Sequence, residues 1–239
     1  MKLTFKGTRG NIKIRTELHF MHTSLEVRFR GKRLLIDFGE DWLPHAADLH
    51  VDAIVLTHGH PDHAWGLKRG APCPVYATEA TWKVISEFEI RDRHIMQPGR
   101  AFRIAGFSVE AFAVEHSIRC PAVGFRVTAG KKSFFYAPDI VAIVDRSAAL
   151  SQVQLYIGDG ATIERSLVRR SGEYVIGHTP IRTQIGWCEK EAVPQAIFTH
   201  CGTEIVSSDP AESLARVAAL GEERNVQASI AWDGLEIDL

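Results

Sequence analysis

The chain has 239 residues, 45% of them hydrophobic, which is enough apolar material to build a large buried core. This composition excludes an intrinsically disordered protein, in which apolar residues are scarce. The 28 lysines and arginines nearly cancel the 29 aspartates and glutamates, so the chain as a whole lacks the positive field that attracts proteins to nucleic acids.

The first part of the chain predicts the strands of one sheet. The segments KLTFKG and SLEVRFRG alternate polar and apolar residues, as half-buried strands do. The segment KRLLIDFG becomes continuously apolar before Asp37, and VDAIVLTH is a further buried strand that ends at His58. The segment TEATWKVISEFE then predicts a helix with Thr78 as its N-cap.

The middle of the chain also predicts mainly strands. FSVEAFAVEH is a strand leading to His116, and VGFRVTAGKKSFFYAPD is a hairpin that turns at Ala129-Gly130 and leads to Asp139. A helix is expected around IVDRSAALSQ. It is followed by the strand VQLYIGDG, which ends at Asp159.

The last part predicts two helices and three strands. TPIRTQIGWCEKEA is a helix, and QAIFTHCG is a buried strand ending at His200. DPAESLARVAALGEE is a helix with Asp209 as its cap and proline at its first position. VQASIAWDGLEIDL is expected to close the chain as a hairpin through an Asp233-Gly234 turn.

Strands and helices are intermixed without a linker, a repeat or a low-complexity tract, so we expect one α/β domain over residues 1–239. Five polar residues follow apolar strands directly: His58, His116, Asp139, Asp159 and His200. In layered α/β folds, binding groups gather at strand ends, where side chains leave the core but keep a rigid support.

Other features favour a protein of the cytoplasm. The N-terminal MKLTFKGTRG lacks the apolar run of a signal peptide, and nowhere are there the ~18 consecutive apolar residues that a membrane span needs. The cysteines form no C-x-x-C pair, so we expect buried thiols. The basic clusters are typical of solvated turns; they are Arg30, Lys32 and Arg33, Lys131 and Lys132, and Arg165, Arg169 and Arg170.

The segment THGHPDH predicts a metal site. In an extended segment, residues two apart point to the same side, so His58 and His60 can approach one ion. Pro61 favours a turn into a helix, which carries Asp62 and His63 to a different direction and toward a second ion. Imidazole and carboxylate ligands suit zinc, with manganese and iron as alternatives.

Each of these two ions needs further ligands from elsewhere in the chain. The strand-end residues His116, Asp139 and His200 would supply a third imidazole to each ion and a carboxylate able to bridge them. A lone strand-end histidine is more often hydrogen-bonded or exposed than a ligand, and the compact H-x-H-x-D-H run is what favours the metal here. The remaining histidines lack such a context and are expected to be structural or solvent-facing; they are His19, His22, His45, His50 and His94.

Five segments in this order resemble the motifs of the metallo-β-lactamase superfamily; they are LLIDFGED, THGHPDH, VEHSIRCPAVGFRV, YAPDI and IFTHCG. The resemblance spans most of the chain. It implies a four-layer αββα sandwich, in which two mixed sheets are flanked by helices. It also implies that His58, His60 and His116 bind one metal and that Asp62, His63 and His200 bind the other. Asp139 would bridge the two, and Asp37 would support the site without binding metal.

Within the superfamily, the chain looks like the ribonuclease Z branch of phosphodiesterases. HSIRCPAVGFRV is similar to that branch's third motif, and GHTPIRTQIGWCEKEAVPQAIFTHCG is similar to its run to the last ligand. His178 falls on a histidine that assists catalysis there. The chain departs from the branch at Asp159-Gly160-Ala161-Thr162, where ribonuclease Z has His-Glu-Ala-Thr, and it lacks the long Gly/Pro-rich insertion of the tRNA-clamping arm.

The resulting functional hypothesis is a dinuclear metal hydrolase that acts on a small phosphodiester or ester. Two divalent ions about 3.5–4 Å apart would share a hydroxide as nucleophile. Asp62 is expected to orient or deprotonate it, and His178 to hydrogen-bond the developing oxyanion. Asp159 would orient His178 or act as an acid, and a role in capping the turn is the alternative for it.

Two alternatives remain open at this stage. A ribonuclease Z-type endonuclease would need a basic groove beside the metals, and nucleic acid is the less favoured partner. An iron oxidoreductase of the same fold is the other; in di-iron relatives an acid stands where this chain has His60, which counts against that form but leaves a mononuclear one. The sequence also leaves a homodimer open.

Overall fold

In the computed structural model, which describes residues 1–239, two β-sheets pack face to face and helices cover their outer surfaces. The first sheet has the strand order β17-β1-β2-β3-β4-β5-β6. Its strands are β1 Lys2–Gly7, β2 Ser24–Phe29, β3 Lys32–Ile36, β4 Ala53–Val55, β5 Val75–Thr78, β6 Arg93–Met96 and β17 Glu236–Asp238.

The second sheet has the order β11-β8-β9-β10-β12-β15-β16, and β7 pairs with β8. Its strands are β7 Ala101–Ile104, β8 Phe107–Glu115, β9 Ala122–Ala129, β10 Lys132–Tyr136, β11 Ala142–Ile143, β12 Leu155–Asp159, β15 Gln195–Thr199 and β16 Gln227–Ile230. A separate hairpin consists of β13 Arg169–Ser171 and β14 Tyr174–Ile176.

The helices lie on both outer faces of the sandwich. They are α1 Pro61–Ala64, α2 Glu79–Val84, α3 Arg146–Leu150, α4 Ile181–Lys190, α5 Thr203–Val206 and α6 Pro210–Glu222, with 3-10 helices at Glu40–Asp48 and Trp65–Leu67. None of them combines the length and the apolarity that a helix needs to cross a membrane.

Three apolar clusters hold the layers together. The cluster between the sheets joins side chains of both, among them Phe5, Leu25, Phe125 and Tyr136. A second cluster joins the outer face of the second sheet to α3, α4 and α6, and a third joins the outer face of the first sheet to α1 and α2. Burying both faces of each sheet gives the αββα order, so the predicted fold is confirmed.

The predicted hairpin at the C-terminus is wrong. Strand β16 pairs in parallel with β15 in the second sheet, whereas β17 pairs antiparallel with β1 in the first. Asp233 and Gly234 do form a turn, and the turn carries the chain from one sheet to the other. A local turn signal gives the change of direction, but the partner of each strand depends on distant residues that cover its apolar side.

Several other boundaries differ from expectation. Helix α2 ends at Val84, so Phe88, which was expected on the same helix, lies beyond it. Thr78 caps this helix as predicted, because its hydroxyl accepts a hydrogen bond from the backbone N–H of Thr81. The 3-10 helix at Glu40–Asp48 and the β13–β14 hairpin lie in segments for which no element was predicted.

Strand direction brings the polar strand ends to one edge of the sandwich. Strands β3, β4 and β5 run in parallel, as do β10, β12, β15 and β16. Strand β8 has the direction of β10, because both are antiparallel to β9. The residues that follow the carboxyl ends of these strands can therefore meet in one place.

Candidate metal centre

Eight residues of the predicted site lie together at this edge. Asp37 follows β3, and the loop after β4 carries His58 and His60 into α1. Asp62 and His63 are on α1, which begins at Pro61 as the sequence predicted. His116 follows β8, Asp139 lies three residues beyond β10, and His200 follows β15.

The first group of donor atoms consists of three imidazoles and a carboxylate. His58 Nε2 lies 2.9 Å from His60 Nδ1, and His116 Nε2 lies 3.2 Å from the same atom. These ring nitrogens and a carboxylate oxygen of Asp139 all lie within 4.8 Å of one another. Such a convergence of nitrogen atoms is the donor set that a cation such as zinc binds.

The hydrogen bonds behind His58 set its tautomer. The hydroxyl of Thr57 donates to Asp37, at 2.8 Å from Oδ2, so Thr57 Oγ1 can only accept from His58 Nδ1 at 3.0 Å. His58 Nε2 is then free of a proton and faces the other imidazoles. Burial lowers the pKa of His58 well below its usual value, which keeps the ring neutral, as a metal ligand must be.

The second group of donor atoms consists of Asp62, His63 and His200. His200 Nε2 lies 3.0 Å and His63 Nε2 3.3 Å from Asp62 Oδ2. His63 Nε2 is buried and has no hydrogen-bond partner in the protein. A buried nitrogen without a partner is rare in folded proteins, and a bound cation would supply the missing interaction.

Asp139 lies between the two groups. Its Oδ2 atom is 3.6 Å from His58 Nε2, 3.7 Å from His63 Nε2 and 3.8 Å from His200 Nε2. Its Oδ1 atom is 2.7 Å from His116 Nδ1. One carboxylate therefore faces both donor groups, which is the position that a bridging ligand requires.

Asp37 supports the site from behind. Its Oδ2 atom accepts a hydrogen bond of 2.9 Å from His63 Nδ1, and its Oδ1 atom accepts one of 2.8 Å from the Thr57 backbone N–H. Asp37 is fully buried and contacts Nδ1 of the His63 ring, not its Nε2 donor atom, and the supporting role that the resemblance implies stays a prediction. Such a carboxylate fixes the ring and increases its basicity toward a metal.

The backbone at the site is unusual at two residues and tight at a third. Asp37 has φ of 63° and His200 has φ of 56°, in the left-handed region that non-glycine residues seldom adopt. A Cβ atom on Gly39 would lie 2.1 Å from the carbonyl oxygen of Asp62, so only glycine lets the chain after β3 pass α1.

Asp159 and His178 form a pair beside the donor groups. Asp159 Oδ2 accepts from His178 Nδ1 at 2.9 Å and from the Ile140 backbone N–H at 3.1 Å. Its Oδ1 atom accepts from the Ala161 backbone N–H at 2.8 Å. Asp159 thus makes both of the contacts predicted as alternatives, since it orients His178 and caps the turn.

Four buried carboxylates at this edge need compensating positive charge: Asp37, Asp62, Asp139 and Asp159. Burial lowers the pKa of His178, but the carboxylates of Asp159 and Asp139 outweigh burial and raise it to about 11. His200 is raised to a pKa of about 9 in the same way, chiefly by Asp139 against the effect of burial. Because cations bound between these carboxylates would supply the same compensation, the residues present fit a divalent metal.

A cavity of about 700 Å³ opens directly on the candidate metal centre. Its walls include the site residues His60, Asp62, His116, Asp139, His178 and His200. The other side of the cavity is formed by Gly10, Asn11 and Ile12 of the segment after β1 and by Ala161, Thr162, Arg165, Leu167, Gly202, Thr203 and Glu204. Asp159 does not line the cavity, because it lies fully buried behind His178.

Sequence reasoning missed the contribution of the N-terminal segment. Arg9 is almost fully buried, and its guanidinium donates to Asp41 and to backbone carbonyls, including that of Phe20 at 3.0 Å. These bonds hold the segment that brings Gly10 against His200. A buried arginine cannot be recognised from one sequence, because nothing local distinguishes it from an exposed one.

The residues expected outside the site lie outside it. His19 and His22 are buried and bonded to Thr8 and to Asp41, and His45 and His50 are exposed. Cys120, Cys188 and Cys201 are buried thiols, whereas Cys73 is only partly buried. Arg165 is exposed, as expected, and it also lines the cavity.

A protein-family model described as a β-lactamase superfamily domain matches residues 32–201. The matched segment runs from β3 to the residue after His200, so it contains all the candidate metal ligands. The match covers more than half of the chain. The chain therefore belongs to the metallo-β-lactamase superfamily of hydrolases.

Two relatives resemble this chain in sequence. The exodeoxyribonuclease WalJ of Streptococcus pneumoniae serotype 2 (strain D39) is 30% identical over 136 residues, which are 52% of this chain and 49% of that protein. Ribonuclease Z of Methanopyrus kandleri (strain AV19) is 31% identical over 146 residues, 54% of this chain and 50% of that protein. The chain thus matches about half the length of these curated relatives.

The fold has a solved counterpart over the whole chain. The metallo-β-lactamase fold protein YhfI from Bacillus subtilis superposes with a TM-score of 0.76, covering 99% of this chain and 98% of that chain. Sequence identity is 14%, so this likeness shows the fold alone.

We predict that Asp37→Asn weakens zinc binding by about 10- to 100-fold, because the amide holds the His63 ring less firmly and makes it a poorer donor. Competition against a zinc chelator measures the change. Asp52→Asn is the matched control. It removes the same charge, but Asp52 forms its ion pair with Lys32 away from the site. Equal zinc affinity in all three proteins would show that Asp37 does not support the metal.

Proposed function

We propose that the chain is a dinuclear metal-dependent phosphodiesterase that acts on small phosphodiesters. The observation that carries this proposal is the pair of donor groups around Asp139, one with His58, His60 and His116 and the other with Asp62, His63 and His200. Zinc is the proposed metal, because five of the seven proposed ligands are imidazoles and none is a thiolate. The nuclease relatives support phosphodiester chemistry.

Two ions held at these positions would supply a nucleophilic water of lowered pKa and would neutralise charge on the phosphoryl group. The chain's own residues would orient the reactants and transfer protons. Asp62 lines the cavity and is the carboxylate nearest both His63 and His200, so it is the group that orients the attacking water and accepts its proton.

His178 is the proposed proton donor. Its Nδ1 atom is held by Asp159 at 2.9 Å and by Asp139 at 3.1 Å. The other ring nitrogen, Nε2, makes no hydrogen bond within the protein, and the residue lines the cavity. Nε2–H can therefore donate to a phosphoryl oxygen or to the leaving group.

Asp159 acts through His178 as a positioning residue. It is fully buried and does not line the cavity, so it has no path to a substrate atom. This supports orientation over direct acid catalysis, the two roles that the sequence left open. The neighbouring carboxylate keeps the imidazole charged and holds its second nitrogen toward the cavity.

The cavity supports a small substrate over a long polymer. A volume of about 700 Å³ is typical of small-molecule sites. A nucleic acid strand needs a row of positive side chains along its phosphates, and Arg165 is the one lysine or arginine in this wall. Nuclease activity remains the second candidate, favoured by the two relatives and by Arg169 and Arg170 on the exposed hairpin.

The direct test is reconstitution with metal. Protein stripped by a chelator and reloaded with zinc is expected to bind about two ions per chain and to hydrolyse bis(p-nitrophenyl) phosphate. Mass spectrometry of the metal content and release of nitrophenol measure the two effects. One iron per chain in protein purified without added metal, together with no hydrolysis after zinc reloading, would instead identify the oxidoreductase alternative and end the proposal.

His178→Ala is expected to lower kcat on bis(p-nitrophenyl) phosphate by about 10²- to 10⁴-fold, because the proton donor is lost. Zinc content should stay the same, because all seven proposed ligands are retained. His178 does lie with Asp139, Asp159 and His200 in a third cluster of possible donor atoms, to which the proposal assigns proton donation instead of metal binding. His94→Ala is the control, because His94 lies on β6 and contacts Asp92 away from the site. Unchanged turnover in His178→Ala, with zinc fully bound, would remove His178 from the mechanism.

Asp159→Asn is expected to move the alkaline limit of kcat to lower pH. In the metal-free protein, burial lowers the pKa of His178, but Asp159 and Asp139 outweigh burial and raise it to about 11. Cations bound at Asp139 would lower this pKa, whereas the bond to Asp159 is retained. Loss of the Asp159 charge lowers the folded-state pKa, and the donor is then deprotonated at lower pH. A pH profile of kcat measures this shift; a parallel loss of activity at every pH would assign Asp159 a purely structural role.

A further inference from the structure

Arg165 has an unusual position among the charged residues of the cavity. It is exposed, and it is the one lysine or arginine that lines the cavity. Its guanidinium makes no hydrogen bond and no ion pair within the protein. The cavity wall also carries the acid Glu204, which already has other partners. Its carboxylate accepts a hydrogen bond from Thr162 Oγ1 at 2.7 Å and forms an ion pair with Arg216 at 3.3 Å.

The backbone near Arg165 is fixed to the site. The Leu167 N–H donates to the carbonyl of His178 at 3.1 Å, and the Gly177 N–H donates to the carbonyl of His116 at 3.1 Å. Gly177 has φ of 111°, and a Cβ atom there would lie 2.2 Å from the carbonyl oxygen of Leu167. The two chain segments at the base of the β13–β14 hairpin therefore lie against each other and against two site histidines.

The residue before Arg165 is an acid that forms its ion pairs with other arginines. Glu164 pairs with Arg182 and with Arg216, in each case at 3.4 Å. The acid next to Arg165 in sequence is thus compensated by other arginines. Arg165 is left as an uncompensated positive charge on the cavity wall, available to an anion that enters.

We propose that Arg165 determines substrate specificity by binding a second anionic group, a terminal phosphate next to the phosphodiester that is cleaved. This inference rests on the proposed phosphodiesterase function. The reacting phosphate has the metal centre and His178 as its partners, so Arg165 remains for another group. An arginine binds the oxygens of a phosphate monoester through paired N–H donors, and a single cation suits one such group better than a polymer.

The test compares three thymidine dinucleotides on the zinc-loaded protein: TpT, the same molecule with a 5′-phosphate, and the same molecule with a 3′-phosphate. The wild-type protein is expected to cleave one of the phosphorylated forms with kcat/KM at least about tenfold above that for TpT. Arg165→Gln should reduce this ratio to near one, and Arg165→Lys should retain part of it. Arg103→Gln is the matched control, because Arg103 is exposed on β7, makes no ion pair and does not line the cavity.

The ratio of kcat/KM values distinguishes binding of a terminal phosphate by Arg165 from a contact between Arg165 and the reacting phosphate. Equal losses on all three dinucleotides in Arg165→Gln would mean that Arg165 contacts the reacting phosphate, and the proposal would be wrong. An unchanged ratio with unchanged rates would also overturn it. The preference should weaken as salt increases, because the contact is between charges near solvent.

Calorimetric binding of thymidine 3′,5′-bisphosphate gives a readout that needs no turnover. Arg165→Gln should weaken this binding by about tenfold, whereas Arg103→Gln should not. If the wild-type protein cleaves neither bis(p-nitrophenyl) phosphate nor any dinucleotide, the proposed phosphodiesterase function fails. In that case, and also if only bis(p-nitrophenyl) phosphate is cleaved, the calorimetry decides the anion site alone. Equal affinity in the wild type and Arg165→Gln would then refute the anion site as well.

Discussion

Four carboxylates are buried at one edge of the sandwich, and the rest of the site depends on how their charge is compensated. Each of Asp37, Asp62, Asp139 and Asp159 lies within hydrogen-bonding distance of at least one imidazole. A buried charge without a partner is strongly destabilising, so carboxylates and histidines must be brought together by the same folding event. The strand ends do this, because parallel strands from both sheets finish at this edge. Bound cations would replace protons in the same role, which couples metal affinity to the charge of the whole cluster.

The fold holds the inner parts of the site more rigidly than its outer wall. The backbone behind it is fixed by strand pairing, by the left-handed residues Asp37 and His200, and by the close passage of Gly39 under α1. Thr57 and Asp37 then set the ring orientation of His58 and His63. The outer wall comes from segments without long strands or helices, the stretch after β1 and the base of the β13–β14 hairpin. The candidate metal ligands and the outer wall thus come from separate parts of the chain, a division that lets the wall change without disturbing the candidate ligands.

The parts of this structure that the sequence predicts are those with a local signal. His58, His60, Asp62 and His63 occur in one short run whose spacing indicates metal binding, and the remaining ligands could be expected because each follows an apolar strand. The C-terminal hairpin was wrong because a turn signal does not identify the partners of the strands on either side. Arg165 could not be distinguished from its neighbours Arg169 and Arg170, since only the path of the hairpin places one of them on the cavity wall. The burial of Arg9 could not be predicted either, because it depends on Asp41 and on a backbone carbonyl that are distant in sequence.

The aspartate at position 159, where the ribonuclease Z branch has a histidine, changes how a proton can reach the leaving group. A histidine at the end of β12 could itself take part in proton transfer, but Asp159 accepts bonds from two backbone N–H groups and from His178 and has no exposure to the cavity. In the proposed mechanism, donation therefore passes to His178, whose Nδ1 atom is held by carboxylates and whose Nε2 atom has no protein partner. Because a carboxylate behind an imidazole stabilises the protonated ring, the substitution strengthens His178 as a cation while removing a second donor. His178, the proposed proton donor, and Arg165, the proposed anion site, reach the cavity from opposite ends of one short segment, residues 165 to 178, with its base hydrogen-bonded to His116 and His178. A change in the length or path of this hairpin would alter both at once, which makes it the element of the fold where activity and substrate choice are most closely linked.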